Sequence, residues 1–327
     1  MGKYTQEIRS TAPIIRDFLN YMLVVKGKSQ LTVDEYYKDL RTFFRYIKMI
    51  RNALYDTPFE QISILDVDLD LIGSVTLSDA FEFMNYCIDE RENLAATRAR
   101  KSCTLRMFYK YLTNKVHLIP VNPLEELDTP KIGKSLPKYL TLEEAVKLLQ
   151  AVDGPYRERD YCILTLFLNC GMRLSELCNI NIQDIRDDNT LHLIGKGNKE
   201  RIVYLNNACI SAIHVYLRVR PVDGVKDKNA LFLSRMKKRI SHRMVEELVY
   251  KYLEKAGLGG RGLSVHKLRH TAATLMYQHG QVDVRVLKDI LGHENLGTTE
   301  IYTHLSNTQL EMAANSNPLN QINNKKI

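Results

Sequence analysis

The stretch from Ser264 to Gly280 reads SVHKLRHTAATLMYQHG, with His266, Lys267, Arg269 and His270 inside five residues at the mouth of an apolar helix. Three chemistries compete for such a cluster. His266 and His270 have the i, i+4 spacing of zinc ligands on one helix face. However, Lys267 stands where an H-E-x-x-H motif needs glutamate, and the flanking lysine and arginine would repel a divalent cation. Nucleotide binding is the second reading. Gly133-Lys134-Ser135 and Gly27-Lys28-Ser29 both end like a P-loop, yet the upstream positions that require glycine hold Asp128 and Met22. The third reading is a phosphate site. Arg269 offers a planar fork matched to two phosphate oxygens. His266 exchanges protons near neutral pH, and a helix start adds backbone N–H donors.

Distant residues extend the third reading. NCGMRLSEL sets Arg173 among small and apolar residues after an apolar helix, where a charge needs an anionic partner. Lys196 lies between Gly195 and Gly197 at the tip of a β-hairpin, and LKDILGHENLGTTEIYTHLS puts His293 after Gly292 and Tyr302 nine residues later. Each has an ordinary alternative. Arg173 could pair with Glu176 three residues on, Lys196 could be a polar turn residue, His293 a helix cap, and Tyr302 a core aromatic, one of 18 tyrosines.

These residues need a scaffold. The chain has 327 residues, too many for one ordinary core, and its net charge of +8 favours acidic partners, nucleic acid first. Pro120, Pro123, Pro130 and Pro137 make the segment between them an extended polar connector. The expected organisation is a helical domain over 1–115, a linker over 116–138, a second domain over 139–314 and a tail over 315–327. In the first domain, Tyr36, Leu40, Phe43, Phe44 and Ile47 recur at helical spacing, as do Leu105, Phe108, Tyr109 and Leu112. A long loop is expected between Asn52 and Val75. The helix from Ala95 to Tyr111 carries Arg98, Arg100, Lys101, Arg106 and Lys110, a candidate DNA-facing set. In the second domain, Thr141 to Glu144 reads as a capping box, and Tyr161 to Leu168 as a helix buried on all sides. Leu191 to Ile194 and Ile202 to Leu205 read as hairpin strands. The six cysteines form no C-x-x-C pair and read as reduced core residues. The N-terminus has no apolar signal region and no run approaches a membrane span, so a cytoplasmic protein is expected.

Taken together, GMRLSEL, IGKGNKER, HKLRHTAAT and LGHENLGTTEIYTH closely resemble the motifs of tyrosine recombinases, the phage integrase family, and most of all the Xer type. The resemblance covers nearly the whole second domain and, more loosely, the first, where the segment from Arg51 to Thr76 is longer than in the typical Xer protein. It implies a mainly α fold: an N-terminal helical (SAM-like) DNA-binding domain and a C-terminal α-helical catalytic domain with a small antiparallel β-hairpin. It further implies Tyr302 as nucleophile on a DNA phosphodiester. Arg173 and Arg269 would clamp the phosphate, Lys196 would be the general acid, and His266 and His293 would assist. No metal, nucleotide or other cofactor is implied. Arg235, Lys237, Lys238, Arg239 and Arg243 would join Arg98, Lys101 and Arg106 on double-stranded DNA. Four protomers, of one or two kinds, would assemble on two sites, the C-terminal segment from Ser306 docking on a neighbour, with a second recombinase or an activating protein as candidate partners. Chromosome dimer resolution is the expected role. Integration or excision of a mobile element is the alternative, ahead of a type IB topoisomerase or a non-catalytic DNA-binding protein.

Overall fold

The computed structural model describes residues 5–131, 138–194, 200–279 and 282–292. The chain divides into two compact units, Met1–Lys134 and Ser135–Ile327.

Every regular element among the described residues of unit 1 is a helix. Helix α1 spans Thr5–Arg9 and α2 spans Pro13–Asn20, with proline at its first position, where no N–H is needed. A π-helical turn, Tyr21–Val25, follows. Helix α3, Gln30–Arg51, starts at Ser29, whose side chain accepts from the Thr32 N–H. Two short helices occupy the stretch expected as a loop: a 3-10 turn at Phe59–Gln61 and α4 at Leu69–Gly73. They are ordered because Ile62, Ile64, Val67 and Ile72 are buried, and because Lys48 on α3 holds Asp66 at 2.6 Å. Helix α5, Leu77–Asp89, opens on a Thr76–Asp79 capping box, and α6 spans Ala95–Asn114. The core is aromatic. Phe43 and Phe83 meet edge-on at 5.1 Å, and Phe18 and Phe108 at 5.3 Å.

A buried ionic group centres on Asp39. Asp39, 1% exposed, takes Arg100 at 2.6 Å, the Thr104 hydroxyl at 2.9 Å and the Lys101 ammonium at 3.4 Å. Lys101 also lies over the Phe83 ring, 5.8 Å from its centre. Removing one partner of such a group leaves an uncompensated charge in a low dielectric. Asp39→Asn should therefore destabilise unit 1 by about 3 kcal/mol, seen as a lower melting temperature in circular dichroism.

Unit 2 is built around α8, Arg157–Cys170, after α7, Leu142–Gln150, which begins with the expected Thr141–Glu144 capping box. Along α8, Cys162, Ile163, Leu164, Leu166 and Phe167 are fully buried. Tyr161 departs from the expected all-round burial and is 40% exposed, its hydroxyl being cheaper to leave wet. Helix α9, Leu174–Asn179, and a 3-10 turn, Ile182–Asp184, lead into the hairpin of β1, Thr190–Ile194, and β2, Glu200–Tyr204. The strands are antiparallel, with Leu191 opposite Val203 and Leu193 opposite Arg201. Period two therefore puts Arg201 on the inward face with Leu191, Leu193 and Val203, while Ile202 and Tyr204 face out. Helices α10, Asn207–Val219, α11, His242–Lys255, α12, Val265–Gln278, and α13, Val284–Leu291, complete the described residues. Helices α10 and α12 pack directly on α8, and α13 packs on α12. The observed architecture is mainly α with one small antiparallel sheet. Among the described residues no helix is long and apolar enough to cross a membrane.

Candidate active site

The site grows out of the end of α8. Gly171 caps that helix with φ +55°, a left-handed conformation that costs a side-chain-bearing residue about 1 kcal/mol or more. A Cβ here would also stand 2.8 Å from a Leu291 methyl. The reversal at Gly171 sends the chain into Arg173, the N-cap of α9.

Glu176 caps the start of that helix, accepting twice from Arg173. The Arg173 N–H donates to Glu176 Oε2 at 2.7 Å, and its Nη1 donates to Oε1 at 2.7 Å. Glu176 is 2% exposed. Burial alone would raise its pKa, but bonds from Arg201 and Arg173 outweigh it and hold the carboxyl below its ordinary value. Arg201 reaches the same carboxylate from β2, with Nη2 2.8 Å from Oε2.

Arg269 enters from α12, 7% exposed. Its guanidinium donates to the Gly171 carbonyl at 2.7 Å and to the Leu291 carbonyl at 2.6 Å. Arg173 Nη2 donates to the next carbonyl, Gly292, at 2.7 Å, and Arg201 donates to the one before, Ile290. Three guanidiniums thus grip three successive carbonyls at the end of α13, the negative pole of its dipole. Gly292, with φ +63°, turns the chain there.

Of the six catalytic candidates, Arg173 and Arg269 are brought together at Leu291–Gly292. His266 lies exposed in the first turn of α12, one turn before Arg269. Lys196, His293 and Tyr302 lie outside the described residues, although the strands that flank Lys196 and the residue before His293 are described. The C-terminal segment from Ser306 also lies outside them. His270 is half-buried. Burial first, then the charges of Lys267, Arg269 and His266, pull its pKa from 6.5 to about 4. Between those values the unfolded chain binds more protons than the folded one. Stability should therefore fall as pH drops from about 6.5 towards 4 and be unaffected by His270 above that window. Melting curves across this range should show the slope, and His270→Asn should flatten it.

The sequence reasoning missed Arg201 and treated Glu176 only as an alternative partner for Arg173. Strand parity could have found Arg201, since it shares a face with Val203.

The candidate DNA contacts divide. Arg235, Lys237 and Lys238 are exposed on a tight turn, where the Lys237 N–H donates to the Ser234 carbonyl. Arg243 is exposed in the first turn of α11 beside Glu247 at 2.7 Å. Arg98 is half-buried, and Arg106 donates to the Thr129 hydroxyl at 2.8 Å. Two placements correct the expectation. Lys101 is buried on Asp39, so its charge faces the core. Arg239 is held by Asp227 at 2.9 Å, by the Asn181 side chain at 2.7 Å and by the Cys178 and Ile180 carbonyls at 3.2 Å.

Residues 138–309 match the phage integrase family, to which this chain belongs. Within that family it is a tyrosine recombinase of the Xer type, a site-specific DNA strand transferase. Tyrosine recombinase XerC of Caldanaerobacter subterraneus subsp. tengcongensis is 54% identical to it, over 94% of this chain and 88% of its own length. XerC of Thermodesulfovibrio yellowstonii is 34% identical over 94% and 97% respectively. The XerH site-specific recombinase in its post-cleavage complex with palindromic difH substrate shares the fold, with a TM-score of 0.67 and 22% identity over 93% of this chain and 94% of that one.

Proposed function

We propose that the chain cuts and rejoins double-stranded DNA through Tyr302. The phenol gives its proton to His266 as its oxygen attacks a backbone phosphorus, and the 5′-oxygen departs, taking a proton from Lys196. The products are a 3′-phosphotyrosine and a free 5′-hydroxyl. The new ester keeps the energy of the broken one, so a 5′-hydroxyl from another strand reverses the step without ATP. Arg173 and Arg269 hold the non-bridging oxygens, where charge accumulates in the transition state. His266 and His293 hydrogen-bond the phosphate or relay protons. The observation that carries this reading is the convergence of Arg173 and Arg269 on the carbonyls immediately before His293.

Arg235, Lys237, Lys238 and Arg243 supply phosphate contacts from unit 2, and Arg98 and Arg106 supply them from unit 1. Four protomers act on two sites in the cytoplasm. The high identity to relatives named XerC favours resolution of chromosome dimers over mobility of an element. The test is covalent capture. The purified protein is incubated with nicked fragments of host genomic DNA, and the DNA attached to it is sequenced. One short recurring chromosomal sequence is expected. Sequence-independent attachment with plasmid relaxation would replace this reading with a topoisomerase.

A further inference from the structure

We propose that Arg201 is a positioning residue that fixes the Lys196 hairpin against α9 and the end of α13. The proposal rests on the recombinase reading above. Arg201 is the second residue of β2, beside the turn that carries Lys196. Its side chain is 11% exposed, and it ties two other elements to the hairpin: Nη2 meets Glu176 at 2.8 Å, and Nη1 meets the Ile290 carbonyl. The same Glu176 carboxylate orients Arg173 through two 2.7 Å bonds. One buried anion therefore sets the phosphate clamp and the hairpin in a common register.

Two further observations separate this from ordinary packing. Arg201 Nε is buried and has no hydrogen-bond partner among the described residues. An apolar side chain on this inward face would avoid that cost, so packing alone does not call for arginine. Second, a Cβ on Gly292 would stand 2.9 Å from Arg201 Cδ and 3.5 Å from Nε. Glycine at the turn before His293 leaves the lane through which Arg201 crosses. A proton donor carried between two strands is only as well placed as the strands themselves, and a misplacement of about 1 Å costs roughly 100-fold in rate.

The experiment measures single-turnover adduct formation at saturating protein on two duplexes of the captured sequence. One is nicked and unmodified. The other has sulfur in place of the 5′-bridging oxygen, a leaving group that needs no acid. Arg201→Met should form adduct about 100-fold more slowly on the first duplex. Its affinity should be unchanged within twofold, and the loss should shrink to about threefold on the sulfur duplex, as for Lys196→Ala. Arg201→Lys, able to reach one acceptor at a time, should fall between Arg201→Met and the unaltered protein, with the same rescue. An unimpaired rate in Arg201→Met, or an equal loss on both duplexes, overturns the proposal. If Arg201→Met does not fold, Arg201→Lys is judged by the same pair of rates. Failure of both variants to fold makes Arg201 a stability residue and overturns it too. Absence of adduct with the unaltered protein on either duplex refutes the recombinase reading instead.

Discussion

Tyr302→Phe should bind the captured duplex as tightly as the unaltered protein and form no covalent adduct at all. Only one oxygen is removed, and none of the basic side chains proposed to hold the DNA is changed. What disappears is the atom proposed to bond phosphorus, and a phenylalanine ring offers no oxygen to form a 3′-phosphotyrosine. The loss should reach the detection limit of denaturing gel electrophoresis, with band-shift affinity intact. Adduct persisting in Tyr302→Phe would refute the assignment of the nucleophile.

Arg269→Lys should produce the second-largest loss, on the order of 100-fold or more in single-turnover cleavage. The guanidinium is placed by carbonyls from two elements, Gly171 and Leu291. Lysine keeps the charge but replaces a planar fork by a point donor that reaches one acceptor at a time. The charge retained on α12 should hold binding within a few-fold, so the loss falls on the chemical step. A rate within threefold of the unaltered protein would remove Arg269 from the phosphate clamp.

Much of this arrangement is legible in the sequence because its determinants are local. The buried stripe of α3, the Thr141–Glu144 box and the apolar strands of the hairpin are all set by spacing within one element. Arg173 and Glu176 are also local, being three residues apart, with the Glu176 carboxylate accepting from both the backbone and the side chain of Arg173. Lys101 shows where local reading was available and not taken. It shares a helical face with Leu105, Phe108 and Leu112, all of which are fully buried, so the stripe itself points it inward. Strand parity turns Arg201 inward, but its partners and those of Arg239 lie beyond local reading. Their acceptors come from residues far along the chain: Cys178 and Ile180 for one, Ile290 for the other. No spacing rule announces a partner of that kind. The three arginines on the end of α13 are likewise a product of tertiary packing, where chain segments distant in sequence are folded onto one turn.

The internal pairing of Lys101 with Asp39 and of Arg239 with Asp227 has a consequence for affinity in brine. Counterions leave DNA only in proportion to the phosphates a protein neutralises, with a slope near −0.9 per contact on a log–log plot. A cation already matched by its own carboxylate neutralises none. The ionic-strength dependence of binding should therefore be shallower than a tally of arginines and lysines implies.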